Sequence, residues 1–164
     1  MIPDPDKVAE FIRETAALDV LPRFQTLANH EIIEKAPGDV VTVADHDAEE
    51  RLTRMLNGLT PGVLVVGEEA VHGDPGLLER LDTDDPMWIL DPVDGTANFA
   101  AGRPIFAVMV AYVTEGKVRG GWIYAPVADE MVVAVDGEGA VLNGDRLDLK
   151  QPNAIKGMKG RINY

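Results

Sequence analysis

The chain contains no cysteine, which removes disulfides, thiolate metal sites and a cysteine nucleophile from any account of it. It also lacks a long apolar run. The richest stretch, Ile105 to Val113, is too short to cross a bilayer as a helix. The first residues, Met1-Ile-Pro-Asp-Pro-Asp6, have neither the basic flank nor the apolar core of a secretory signal. A cytoplasmic protein without membrane association is the simplest expectation. Basic residues are scarce, 15 Lys and Arg against 28 Asp and Glu, for a formal charge of -13. Binding a nucleic-acid backbone takes clustered Lys and Arg, so no nucleic-acid partner is expected. Histidine is rare too. His30, His46 and His72 show no ligand spacing and read as surface residues. Repeats and low-complexity tracts are absent.

What remains is a 164-residue chain, 46% hydrophobic, the length of one domain or of two small ones sharing a core. The acid excess suits a protein that holds divalent cations, which in turn would attract an anionic substrate. It serves solubility equally well, so net charge decides nothing by itself.

Asp4-Pro5 reads as an N-cap followed by proline at the first helical position. Val8, Phe11, Ile12 and Thr15 continue as a helical stripe, with Leu18 and Leu21 near the same face and an interruption at Pro22. Glu34 to Thr42 reads as a loop or short exposed hairpin. Ala48, Leu52, Met55, Leu56 and Leu59 give a second helix, and Asp45, Asp47, Glu49 and Glu50 crowd its first turns, where the helix dipole favours acids. Pro61-Gly62 ends it. Val63 to Val66 and Met87 to Leu90 read as short buried strands, with one or two helical turns between Asp74 and Leu81. After Pro104 come strands at Ile105 to Val113, Lys117 to Tyr124, Glu130 to Val135 and Ala140 to Leu142, separated by turn formers. Asn143-Gly144 is a two-residue hairpin turn leading into Arg146 to Leu149. Helices followed by an antiparallel meander predict an α+β layered domain.

Acidic groups follow two of the apolar strands: Glu68-Glu69 after the first, Asp91 and Asp94 after the second. Strand ends are places where a rigid scaffold displays functional groups to solvent. In Asp91-Pro-Val-Asp94, proline fixes one φ, and Gly95 permits backbone that other residues avoid. Such a bend aims two carboxylates and a carbonyl at one point, the oxygen set that magnesium prefers. Each fragment alone also has an ordinary structural reading: a chance acid pair, a turn, a solvated loop acid. The run Asp82-Thr-Asp-Asp85 reads as a turn or cap, since it lacks the alternation of a calcium loop.

The whole string Trp88-Ile-Leu-Asp-Pro-Val-Asp-Gly-Thr-Ala-Asn-Phe99 resembles the signature of the inositol monophosphatase family. Asp39-Val-Val-Thr-Val-Ala-Asp45, Gly67-Glu-Glu69 and Gly121-Trp-Ile-Tyr-Ala-Pro126 resemble further elements of that family, in the same order. The resemblance implies the N-terminal half of its layered helix and antiparallel-sheet sandwich over residues 1–150, with residues 151–164 a tail assigned nothing.

By that resemblance, Glu68, Asp91, Asp94 and the Val93 carbonyl bind magnesium, with Asp91 bridging two ions. Two or three Mg2+ are implied, with Mn2+ a substitute and Li+ or Ca2+ inhibitors. Glu69 would act through water or by orienting its neighbour. Thr96 and Asp45 would orient and deprotonate the attacking water, so Glu68, Thr96 and Asp45 are the implied catalytic residues. Gly95, Thr96 and Asp94 would meet substrate, the amides of Gly95 and Thr96 on phosphate oxygens. Lys35 resembles a lysine that precedes the family's upstream loop, but sits one residue closer to Asp39; Asp39 and Thr42 would fix that loop. The implied reaction is in-line attack of water on a phosphate monoester, in a homodimer, with a small phosphorylated polyol or sugar such as myo-inositol 1-phosphate as substrate.

The family has a second half carrying a Trp-Asp element whose aspartate completes a metal site. Here the tryptophans are Trp88 and Trp122, and neither lies in such an element. The sequence therefore reads as the N-terminal part of a longer chain, expected to have little phosphatase activity alone. Related sugar, histidinol or fructose-bisphosphate phosphatases, and a non-catalytic interaction module, remain alternatives.

Overall fold

A computed structural model describes residues 2–36 and 39–148. The first helix, α1 (Pro5–Thr15), starts where the sequence places it. The Asp4 carboxylate accepts from the amides of Asp6 (3.0 Å) and Lys7 (3.4 Å), and Pro5 opens the first turn. Val8, Ile12 and Thr15 point into the core. The interruption begins before Pro22. A π-helical turn, Ala16–Val20, precedes a 3-10 turn, Leu21–Arg23. Proline has no N–H to donate, and its ring crowds the carbonyl four residues earlier, so the disturbance reaches back along the helix. The wider turn swings Leu18 out to 52% exposure, against the expectation for it, and buries Val20.

The hairpin expected between the helices forms from β1 (Ile32–Ala36) and β2 (Asp39–Thr42). Helix α2 (Val43–Leu59) follows, with Thr42 as its N-cap and Asp45 reaching back to the Thr42 amide. Ala44, Ala48, Leu52 and Leu56 form its buried stripe, and two acids, Asp45 and Glu49, lie buried beside them.

The main sheet contains β3 (Leu64–Gly67), β4 (Met87–Asp94), β5 (Ala107–Thr114), β6 (Lys117–Ala125), β7 (Glu130–Val135), β8 (Gly139–Leu142) and β9 (Asp145–Arg146), in that spatial order. From β4 onward it is the expected antiparallel meander. β3 is the exception, pairing parallel to β4. Its connection, through α3 (Glu68–Gly73) and a 3-10 segment (Pro75–Asp82), is long enough to return the chain to the starting edge. β4 runs four residues past the expected Leu90, as far as Asp94. The last strand is shorter than expected, Asp145–Arg146, and Leu149 lies outside the described residues.

Helices α1 and α2 cover one face of this sheet. Val8, Ile12, Leu52, Leu56, Trp88, Val108 and Trp122 are fully buried between them. Both indoles find partners: Trp88 donates to the Thr60 hydroxyl (2.8 Å) and Trp122 to the Pro5 carbonyl (3.0 Å). On the opposite face Ile89, Met109, Ala111 and Ile123 help line an apolar hollow of about 330 Å³, with Ile123 45% exposed. The described residues form the α+β layered arrangement expected.

Candidate metal and phosphate site

β3 and β4 run parallel, so their C-terminal ends emerge side by side. Gly67 is the register partner of Leu90, which sets Glu68 beside Asp91. Asp91 feels the negative charge of both Glu68 and Asp94. Burial, then Glu68, then Asp94 raise the Asp91 carboxyl from 3.8 to about 7. Negative charge is crowded here, and Asp91 holds its proton more tightly than a free carboxyl does. Among the described residues, no group of three His, Asp or Glu side chains is already arranged to hold a metal ion. By donor type, three carboxylates and a carbonyl fit a hard divalent cation, which would replace the Asp91 proton.

The turn after β4 is held by its own polar groups. The Val93 amide donates to Asp91 Oδ1 (3.2 Å), which fixes that carboxylate over the bend. Val93 itself is fully buried and anchors the turn in the core. Gly95 then takes φ +90° and ψ +32°, and helix α4 (Thr96–Ala100) begins. A β-carbon there would also lie 2.9 Å from the Ile105 carbonyl oxygen. Conformation and space both demand glycine.

Thr96 lies between two acceptors. Its hydroxyl is 2.9 Å from the Val93 carbonyl and 3.1 Å from Asp45 Oδ1, and it has one proton to give. Asp45 is fully buried and also accepts from the Thr42 amide (2.8 Å) and hydroxyl (2.6 Å). Burial raises its carboxyl above the ordinary value, although these hydrogen bonds pull the other way. Thr42 thus acts as helix cap and as a fixing group for Asp45. The side chain of Asp39 lies outside the description.

Lys35 reaches from β1 to the Glu69 carboxylate (2.8 Å), and its ammonium is 4.0 Å from Glu68. Lys35 and Glu69 are both nearly buried, at 6% and 5% side-chain exposure. Glu69 is therefore turned inward, while Glu68 faces solvent. Glu49 went unnoticed as a functional candidate. It accepts from the amides of Glu69 (2.9 Å) and Ala70 (2.8 Å) at the start of α3. Its signal was present: with Asp45 it falls on the apolar stripe of α2, three residues before Leu52, where an acid needs a partner. The three histidines are exposed, as expected, and so are Asp82, Asp84 and Asp85.

The chain belongs to the inositol monophosphatase family, which it matches over residues 4–159. Bovine inositol monophosphatase 1 is 34% identical over 125 residues, 76% of this chain and 44% of that protein. A Thermotoga maritima fructose-1,6-bisphosphatase/inositol-1-monophosphatase is 33% identical over 126 residues, 76% of this chain and 46% of the relative. The solved structure of a Thermotoga maritima IMPase superposes with a TM-score of 0.77 at 28% identity, covering 89% of this chain and 53% of that one. The chain thus has the fold of the N-terminal half of that family and spans about half the length of the proteins it matches.

Proposed function

We propose that this chain provides the principal cation site and water-activating residues of a magnesium-dependent phosphomonoesterase acting on a small phosphorylated polyol. The observation that carries the reading is the convergence of Glu68, Asp91 and Asp94 from two adjacent strand ends, with Asp91 raised to about 7. Like charge crowded at a strand end disfavours the folded chain unless a cation joins it, which favours a functional site over a structural ion pair.

Glu68, Asp91, Asp94 and the Val93 carbonyl would hold the cation, which when bound supplies positive charge to the phosphate and acidifies water. Thr96 and Asp45 do the proton work. The Thr96 hydroxyl gives its proton to Asp45 rather than to the Val93 carbonyl, which would serve as a cation ligand. A lone pair of the Thr96 oxygen then faces the open side and accepts a proton from the attacking water. Asp45, buried and so more basic than a free carboxylate, takes up the charge relayed through Thr96. Gly95 and Thr96 stand at the first turn of α4, where amides suit phosphate oxygens. The family's names span inositol and fructose-bisphosphate substrates; myo-inositol 1-phosphate is the substrate to test first.

Calorimetric titration of the purified chain with magnesium, with and without inorganic phosphate, tests the reading. Binding that Asp91→Asn abolishes and phosphate strengthens is expected. A chain that binds no magnesium refutes the phosphatase reading and leaves a non-catalytic interaction module. Release of phosphate from myo-inositol 1-phosphate, lost in Asp94→Asn, would extend the reading to turnover by the chain alone.

A further inference from the structure

Gly67 has φ -101° and ψ 157°, an extended conformation open to any residue. Nothing in its backbone calls for glycine. Space does. A β-carbon on Gly67 would fall well under 3.0 Å from all three atoms of the Glu49 carboxylate group. The carboxylate lies directly against the Cα of Gly67 and closes on the next turn, with Oε2 accepting from the Glu69 amide (2.9 Å) and Oε1 from the Ala70 amide (2.8 Å). Helix α3 has no side-chain cap of its own, because its N-cap residue is Gly67. Glu49, reaching across from α2, supplies the missing cap.

Burial raises the Glu49 carboxyl; its bonds from the Glu69 and Ala70 amides pull the other way, and the charges of Glu69 and Glu68 add to the rise. A neutral side chain would avoid that cost, but would not clamp two N–H donors at once. The residue held in the clamp is Glu68, between Gly67 and Glu69. Asp45 lies one helical turn before Glu49 on α2, and fixes Thr96 as Glu49 fixes the Glu68 turn. One face of α2 therefore holds both strand-end turns in a single frame.

We infer that Glu49 is a positioning residue for the cation site: its carboxylate, seated on Gly67, sets the backbone from which Glu68 reaches toward Asp91. The inference rests on the reading of Glu68 as a magnesium ligand. Losses of about tenfold or more in cation affinity are usual when a group that orients a ligand is removed.

Two measurements on the purified chain test it. Glu49→Gln keeps the volume but leaves one acceptor oxygen and adds an N–H2 facing a donor. Faster hydrogen exchange at the Glu69 and Ala70 amides, together with magnesium binding about tenfold weaker, is the expected result. Thr60→Val serves as a control, since it loosens β4 through Trp88 without touching α3. If it is destabilised comparably but keeps wild-type magnesium affinity, the effect of Glu49→Gln is positional. Should Glu49→Gln fail to fold, Gly67→Ala displaces the carboxylate sterically and should weaken magnesium binding likewise. Wild-type magnesium affinity in a folded Glu49→Gln or Gly67→Ala chain overturns the inference while leaving the metal reading intact. No magnesium binding by the unsubstituted chain overturns both.

Discussion

Replacing Asp91 with asparagine should change how stability depends on pH, and in a direction opposite to most carboxylates. In the folded, metal-free chain Asp91 keeps its proton up to about 7, whereas in the unfolded chain it titrates near 3.8. Between those values the folded state binds the extra proton. Stability from this group is therefore fully present at low pH and is lost as pH rises toward 7. At full weight the difference is about 4 kcal/mol, from about 1.4 kcal/mol per tenfold change in proton affinity. Only the interval from pH 5 to about 7 is sampled between pH 5 and pH 8, about 3 kcal/mol at full weight, and because water reaches Asp91 about 1–2 kcal/mol is expected. Urea unfolding followed by Trp88 and Trp122 fluorescence, in chelator at pH 5 and pH 8, measures it. The advantage of Asp91→Asn over the unsubstituted chain should grow by that amount from pH 5 to pH 8. Magnesium at pH 8 should then stabilise the unsubstituted chain and leave the variant unchanged. A pH-independent difference between the two chains, or one that shrinks with rising pH, would refute the view that Asp91 is crowded by like charge.

Gly95→Ala should lower stability by about 2–4 kcal/mol, adding left-handed backbone strain to a collision with the Ile105 carbonyl 2.9 Å away; an unfolding midpoint unchanged in urea would contradict it. Thr60→Val should cost about 1–2 kcal/mol by leaving the Trp88 indole N–H without its 2.8 Å acceptor, read in the same assay, and a neutral result would mean that another acceptor or water takes over.

The elements were legible where local chemistry dictated them. Asp4-Pro5 announced a helix start, the spacing of Ala48, Leu52 and Leu56 announced α2, and alternating residues after Pro104 announced the meander. Leu18 misled because the periodicity assumed an undisturbed helix, and the widened turn before Pro22 shifts every later side chain around the axis. The parallel pairing of β3 was not legible, since a short apolar run carries no sign of its direction in a sheet. At the site, Asp91, Asp94, Gly95 and Thr96 stood out because they lie within one short string. Glu49 did not, because its partners are amides some twenty residues away, and a backbone amide has no signature in sequence.

The sequence by itself determined the family, the bent Asp91-Pro-Val-Asp94 turn and the kind of ion its oxygens suit. These follow from residue type and near-neighbour spacing, which act over a few bonds. Only the tertiary structure decided that Glu68 stands against Asp91, that Lys35 turns Glu69 inward, and that a Glu49 carboxylate takes the space a side chain on Gly67 would need. Those facts depend on which strand ends lie side by side and which helix crosses them. Packing brings together groups that the chain keeps far apart.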